Sequence, residues 1–387
     1  MSPERVAVVG AGAVGVTAAY DLAARGADVT VFERGDRVAA ASSGRAAGVL
    51  YDAYAEDVDA ELGARSMERF RSFSGDGGFR LRECPYVMLA RDGDDARAEA
   101  IDAAAARMRQ HGRDVDTVSG AELGRRFPAL RTDDVAAAAV ASNAGWTDPA
   151  SYVELVARKA VDAGAELRLN AAVSVSTSPP AVTVSGTGSG GDAAATRPFD
   201  AVVVAAGAHT AALLGEAGVA LPLKPYRVQA LVGADGYDGP MCYDATAGVY
   251  FRPHPDGLLG GDGTVPEEAD PDDWDRDGDD WFVADTREVL RHRADYDAAP
   301  ERAWAGLCTA TPDGDPLVGA VADGVYVAAG WQGHGFMRAP ATGELVAEQV
   351  LGERDGPASF DPTRFDGDRE FEIREGMVVE ERREASD

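Results

Sequence analysis

The chain opens on Val6-Ala-Val-Val-Gly10, a run that is apolar at every position before the glycine, as expected of a strand buried on both faces of a parallel sheet. The pattern then changes: Val16 to Arg25 is Ala-rich and amphipathic, predicting a helix that Gly26 stops. Val29–Phe32 repeats the apolar strand pattern, with Glu33 at its end. Two further runs of this kind, Ala201–Ala205 before Gly207 and Val325–Ala329 before Gly330, predict more central strands. Helices are predicted over 56–72, 94–110, 150–163 and 340–351, the last placed to begin at Pro340, a favoured first-turn residue. Between 174 and 198, short alternating strands flank a Gly/Ser-rich turn, expected as a surface hairpin. The acidic run 262–280 is expected as a solvated loop, and the charged tail after Pro362 as partly disordered.

A length of 387 residues fits two domains, or one domain with a large insertion. Acidic residues outnumber basic ones 66 to 37, a net charge of −29, which argues against nucleic acid or an anionic membrane as partner. No apolar run reaches the roughly 18 residues a membrane-spanning helix needs, and the start lacks a signal-peptide pattern; a cytoplasmic location is expected. Cys84, Cys242 and Cys308 are scattered and the five histidines have no ligand spacing, so neither a disulfide framework nor a metal site is expected.

Only Lys159 and Lys224 are lysines; the other 35 basic residues are arginine. A GC-rich coding sequence accounts for the arginine bias but not for the acid excess. Self-repulsion of that size is relieved by screening, pointing to a high-salt cytoplasm. The melting temperature is therefore expected to rise between low and molar KCl; no stabilisation would contradict this.

Gly10-Ala-Gly-Ala-Val-Gly15 stands between the first strand and the first helix. In G-x-G-x-x-G, Gly10 permits the tight turn, Gly12 lets a pyrophosphate approach the backbone, and Gly15 lets helix and strand pack closely. The diphosphate then meets the positive end of the helix. Glu33, 18 residues after Gly15, is placed to accept from both ribose hydroxyls and would repel a 2′-phosphate, disfavouring NADP. Alone this pattern is weak; with strand, helix, second strand and acid all present it predicts dinucleotide binding. It leaves FAD and NAD both open.

Further segments resemble the D-amino-acid-oxidase-type FAD-dependent oxidoreductases, which include glycine, sarcosine, dimethylglycine and proline oxidases and dehydrogenases. Ala41-Ser-Ser-Gly-Arg-Ala-Ala-Gly48 resembles the loop lying along the flavin, Ala144-Gly-Trp-Thr-Asp-Pro149 the G-x-x-D-P before a flavin-domain helix, and Ala205-Ala-Gly-Ala-His-Thr210 a strand end. Gly248–Pro253 with Asp256–Gly260 is similar to the substrate-domain strand pair. Trp304–Gly319, followed by Gly330-Trp-Gln-Gly-His-Gly-Phe-Met-Arg-Ala-Pro-Ala-Thr-Gly343, is most similar to the β subunits of L-proline dehydrogenase and sarcosine oxidase, whose closing segment Phe360–Phe365 also echoes.

The resemblance implies an α/β fold: a discontinuous Rossmann-type FAD-binding domain (1–80, 145–220, 304–362), a substrate domain on a mixed or antiparallel sheet (81–144, 221–303), and an acidic tail (363–387). The expected cofactor contacts are Gly10, Ala11, Gly12, Ala13, Val14, Gly15, Glu33, Arg34, Ser42, Ser43, Gly44, Arg45, Ala47, Gly48, Val173, Ala206, Gly207, Gly330, Gly333, His334, Gly335, Phe336 and Met337. The chemistry implied is oxidation of a C–N bond of a small amino acid, secondary or N-methylated, with the substrate nitrogen uncharged at transfer. The alternatives are a D-amino-acid dehydrogenase on primary amines, an NAD-dependent dehydrogenase, or a noncatalytic flavoprotein serving as an assembly or structural subunit.

His334, between Gly333 and Gly335, is a candidate contact to flavin or substrate carboxylate, with packing as the alternative; Trp331 is either pocket wall or core. Tyr250 matches a tyrosine that faces the ligand in relatives, and Arg252 shares its face by strand alternation, so the pair forms a candidate carboxylate clamp. Core and surface roles are the respective alternatives. Three departures from the family matter. Where glycine- and D-amino-acid-type oxidases carry an arginine ahead of T-P-D-G as carboxylate anchor, this chain has Cys308. The flavin-linking cysteine of monomeric sarcosine oxidase falls at Gly306, so FAD is expected to be noncovalent. That enzyme's substrate-binding lysine is replaced by Met337. No lysine follows Lys224 to favour reaction with oxygen near the flavin, so a protein electron acceptor or partner subunit is expected.

Overall fold

The computed structural model describes residues 4–185, 195–367 and 369–374. Arg5–Val9 lies at the heart of a six-stranded sheet, running from Leu317–Ala322 through Val325–Ala329, Ala201–Val204, Arg5–Val9 and Asp28–Phe32 to Glu166–Arg168. All neighbours are parallel except Leu317–Ala322, which is antiparallel to Val325–Ala329. The unbroken apolar run has its reason in the layers. Val6 and Val8 face helices Ala13–Ala24, Pro149–Asp162 and Gly335–Val350 in one core, whereas Ala7 and Val9 face a second core with Val175, Val182 and Leu214. Each central strand is thus covered on both sides.

That second layer is a small sheet of Val173–Thr177, Pro180–Val184 and Ala195–Pro198. It adds a third strand to the expected hairpin and is not merely superficial, since Val182 is fully buried. The Gly/Ser-rich turn and the acidic tail from 375 onward lie outside the described residues.

The second body is an eight-stranded sheet: Pro300–Ala310, Lys224–Gly233, Gly257–Val265, Val249–His254, Met241–Asp244, Tyr86–Arg91, Val135–Ala141, Val115–Val118. One pair, Met241–Asp244 with Tyr86–Arg91, is parallel and the rest antiparallel, so the sheet is mixed. The expected boundary at 304 falls inside Pro300–Ala310, which pairs with Lys224–Gly233 along its whole length; sheet pairing holds the full strand in this body.

Two helices start on sequence-legible caps. Asp148 accepts from Ala150 N–H ahead of Pro149, and Asp94 accepts from Arg97 N–H. The final helix departs from expectation: it starts at Gly335, with Pro340 inside it. Burial of this segment against Asp57–Phe73 resolves the conflict, because Ser66 Oγ accepts the Ala341 N–H at 3.2 Å just where the proline interrupts the ladder. The acidic run is likewise not all loop: Gly257–Val265 extends into it and Asp280–Ala294 begins at its end. No helix among the described residues is long and apolar enough to cross a membrane.

Candidate active site

The glycine turn is built as the sequence requires. Gly10 has φ +108° and a Cβ there would lie 2.4 Å from Ala205 O, while a Cβ on Gly15 would lie 2.0 Å from Gly10 O. Around Gly12 an added Cβ would meet only Ser43 Oγ, at 3.1 Å, so this side of the turn is lined by a hydroxyl rather than by packed core. Glu33 is fixed at the turn, its two oxygens accepting from Ala11 N–H (2.9 Å) and Gly35 N–H (2.7 Å). Ser43 Oγ accepts the Ala13 N–H at 2.9 Å. Ala206 and Gly207 follow the neighbouring strand, Gly10 coming against Ala206. Val173, at the start of its strand, is half-buried and packs against the core cluster that includes Phe32. Arg34 turns outward and pairs with Asp272 at 3.1 Å, as does His209.

The loop 41–48 joins the two bodies. Ser42 Oγ donates to Leu307 O, Arg45 Nη1 donates to Ala305 O, and Ala47 O accepts from Arg252 Nε at 2.5 Å. Gly44 and Gly48 are needed for close approach, since added Cβ atoms would lie 2.2 Å from Ala39 O and 2.1 Å from Thr147 O.

Loop 330–334 is hung on the same edge strand. Thr309 Oγ accepts from Gly330 N–H at 3.1 Å and Thr309 O from Gln332 N–H at 3.0 Å. Gly333 is exposed with φ +85°, whereas Gly335 makes room for Trp331, whose Cγ would lie 2.9 Å from an added Cβ. The side chains of two expected contact residues turn into the core. The Phe336 side chain packs with Phe70 and Tyr152 at ring distances of 5.6 and 5.8 Å, and Met337 is buried in the same apolar cluster. Both point into the helical core because they sit on the inner face of Gly335–Val350, leaving only their backbones toward the loop.

Opposite this loop the structure gathers polar and aromatic groups. Tyr250 pairs with Gly261, its hydroxyl over that glycine, and Arg252 stands two residues along its strand. Cys308 stands opposite Tyr226 on the neighbouring strand and takes hydrogen bonds from Tyr226 and the Gly333 N–H. A row of rings runs from His334, edge-on to Tyr54 at 6.1 Å, to Tyr51 at 5.2 Å and Tyr86 stacked at 4.9 Å, with the strand Met241–Asp244 between Tyr86 and Tyr250. Three buried atoms here have no hydrogen-bond partner among the described residues: Tyr54 Oη, Tyr86 Oη and Asp262 Oδ2. Buried polar groups are ordinarily satisfied, so these three atoms stand out in this part of the structure.

Arg252 is 3% exposed, stacks on Trp146 at 4.8 Å, and donates only to the carbonyls of Ala47 and Pro253 among the described residues. Burial pulls its pKa down to about 10, so it is charged at neutral pH without a carboxylate counter-ion. Burial also lowers His334 to about 3, assisted by the Arg338 charge, which leaves the imidazole neutral. Burial pushes the Cys308 thiol up to about 12; it is a small inert residue, not a thiolate.

Sequence reasoning passed over Asp262, hidden in an acidic run, and the tyrosines Tyr51, Tyr54 and Tyr86. It also passed over Arg338, which is buried, bonded to Asp59 and donates to Trp331 O. Arg338 braces the loop from behind, and its place in Gly335-Phe-Met-Arg338 was the available signal. No group of three or more candidate ligands for a metal ion occurs among the described residues.

The glycine turn sits on the six-stranded sheet, and loops 41–48 and 330–334 tie it to the edge strand of the eight-stranded one. The chain belongs to the FAD dependent oxidoreductase (DAO) family, whose sequence profile matches residues 5–349, and it is an FAD-dependent enzyme. It is similar to the glycine oxidase of Bacillus licheniformis, at 26% identity over 89% of this chain and 92% of that protein. It is also similar to the FAD-dependent oxidoreductase domain-containing protein 1 of Bos taurus, at 28% identity over 91% and 82%. Among solved structures, L-proline dehydrogenase from P. horikoshii superposes with a TM-score of 0.83 at 26% identity, covering 94% of this chain and 98% of that one. The residues present fit the cofactor: the turn is uncluttered at Gly12, and Glu33 already accepts backbone N–H bonds at its edge.

Proposed function

We propose that this protein oxidises the C–N bond of a small amino acid, preferring a secondary or N-methylated one of the sarcosine, dimethylglycine or proline type. The observation that carries this is Arg252, a buried guanidinium beside Tyr250 with no carboxylate partner among the described residues. An unpaired buried charge costs several kcal/mol, and a substrate carboxylate offsets that cost only when bound. When bound, FAD supplies the acceptor for a hydride from the carbon beside the substrate nitrogen. The chain's own residues do the rest. Gly10, Gly12 and Gly15 take the pyrophosphate, Glu33 the ribose, and loops 41–48 and 330–335 flank the flavin, held without a covalent link. Arg252 and Tyr250 hold the carboxylate, and the tyrosines around His334 exclude water.

Likeness to the L-proline dehydrogenase supports a secondary amine; likeness to the glycine oxidase supports a primary one as the second reading. Both lysines are engaged elsewhere, Lys159 with Asp76 and Lys224 with Glu370, so no ammonium is available beside this site to promote reaction with oxygen. A carrier or partner subunit is the electron acceptor proposed with this reading.

Anaerobic mixing with a panel of amines tests the reading. Bleaching of the yellow band by sarcosine, dimethylglycine or proline, and not by D-alanine, is expected. Bleaching by D-alanine alone would select the primary-amine reading, and no bleaching by any amino acid would overturn both.

A further inference from the structure

We propose that Asp262 holds the substrate amine and takes its proton, so that Asp262 and Arg252 together read a zwitterion; the inference rests on the amino-acid reading above. Asp262 is 5% exposed. Its Oδ1 accepts from the Thr264 hydroxyl, while Oδ2 is buried without a partner among the described residues. The pairing of Gly257–Val265 with Lys224–Gly233 shifts register between Gln229, opposite Asp262, and Arg227, opposite Val265. Bulges of this sort re-aim side chains beside active sites. Asp262 follows Gly261, which pairs with Tyr250 and lies under its hydroxyl, an added Cβ there standing 2.4 Å from Tyr250 Oη; the carboxylate therefore sits one residue along the strand from that ring.

An ionised carboxylate that deep is retained at a cost unless something cationic pairs with it. Arg252 does not, being turned to the carbonyls of Ala47 and Pro253. One anion and one cation, both buried, neither ion-paired to a described residue and both neighbours of Tyr250, match the two charges of an amino acid. The ionisable groups facing Asp262 are Tyr250 and Arg252 on the adjacent strand, with Cys308 and Tyr226 beyond. Asp279, at the start of the covering helix, is occupied by Arg227 and Gln229.

An ammonium has no lone pair to stabilise a developing iminium. In the step proposed, one N–H bond breaks, an Oδ2–H bond forms, and the electron pair stays on nitrogen. A +1 and −1 pair becomes two neutral groups, which exclusion of water favours because burial penalises both charges. Since the proton stays inside the complex, no proton is exchanged with solvent before hydride departure.

The test is the pH dependence of anaerobic bleaching at saturating amino acid, using holoenzyme. Wild type is expected to give a rate flat across neutral pH. Asp262→Asn, with flavin content checked by absorbance, is expected to bleach about 100-fold more slowly at pH 7 and to recover about tenfold per pH unit as the substrate amine deprotonates in solution. A flat profile in Asp262→Asn would overturn the proposal. So would a wild-type rate already falling tenfold per unit below neutrality, which decides the matter even if the variant does not fold. Failure of wild type to bleach with any amino acid overturns the parent reading and this inference with it, whereas a bleaching wild type with an unaltered variant overturns this inference alone.

Discussion

Gly12→Glu is expected to purify as a folded, colourless protein. An added Cβ at this position meets only the Ser43 hydroxyl, at 3.1 Å, so the chain itself tolerates a side chain there. What it would lose is the approach of the pyrophosphate, displaced both by bulk and by a negative charge at the positive end of Ala13–Ala24. FAD affinity is expected to fall at least 1,000-fold, on the order of 4 kcal/mol of ligand-linked stability. Flavin content per chain and the response of Tm to added FAD measure this. Gly10→Ala makes the contrast: its Cβ would strike Ala205 O at 2.4 Å in a backbone with φ +108°, so it should unfold the turn and lower Tm even without cofactor. A yellow Gly12→Glu variant would contradict the placement of the diphosphate.

Arg252→Ala is expected to raise KM for carboxylated amines roughly 100-fold, about 2.7 kcal/mol, while leaving KM for the matching esters within a few-fold. The asymmetry matters more than the size. Removing the side chain also frees the carbonyls of Ala47 and Pro253 and uncovers Trp146, and that damage falls on acid and ester alike. Arg252→Lys keeps the charge but not the fork, so an intermediate KM is expected. Equal effects on acid and ester would reject Arg252 as the anchor.

The fold was largely legible because its strands obey simple rules. A run such as Val6–Val9 is apolar throughout only when both faces are covered, and here Val6 and Ala7 enter different cores. The cofactor turn was legible because Gly10 and Gly15 leave no room for a Cβ. What misled was local composition overridden by tertiary contact. Pro340 reads as a helix start, yet Ser66, distant in sequence, supplies an acceptor that lets the helix begin five residues earlier. Asp262 reads as part of a solvated acidic run because charge pattern cannot show that a strand carries the first residues of that run inside. Phe336 and Met337 share a motif with His334, and their side chains pack into the helical core. The orphaned hydroxyls of Tyr54 and Tyr86 belong to no motif at all; only burial reveals them.

The most direct measurement is a crystal structure of the yellow holoenzyme soaked anaerobically with a non-reactive carboxylated amine. The account predicts diphosphate density at Gly10–Gly15, the tricyclic ring beside 330–335, and the soaked carboxylate on Arg252. A ring remote from that loop, or a carboxylate bound elsewhere with Arg252 still facing only Ala47 and Pro253, would contradict it.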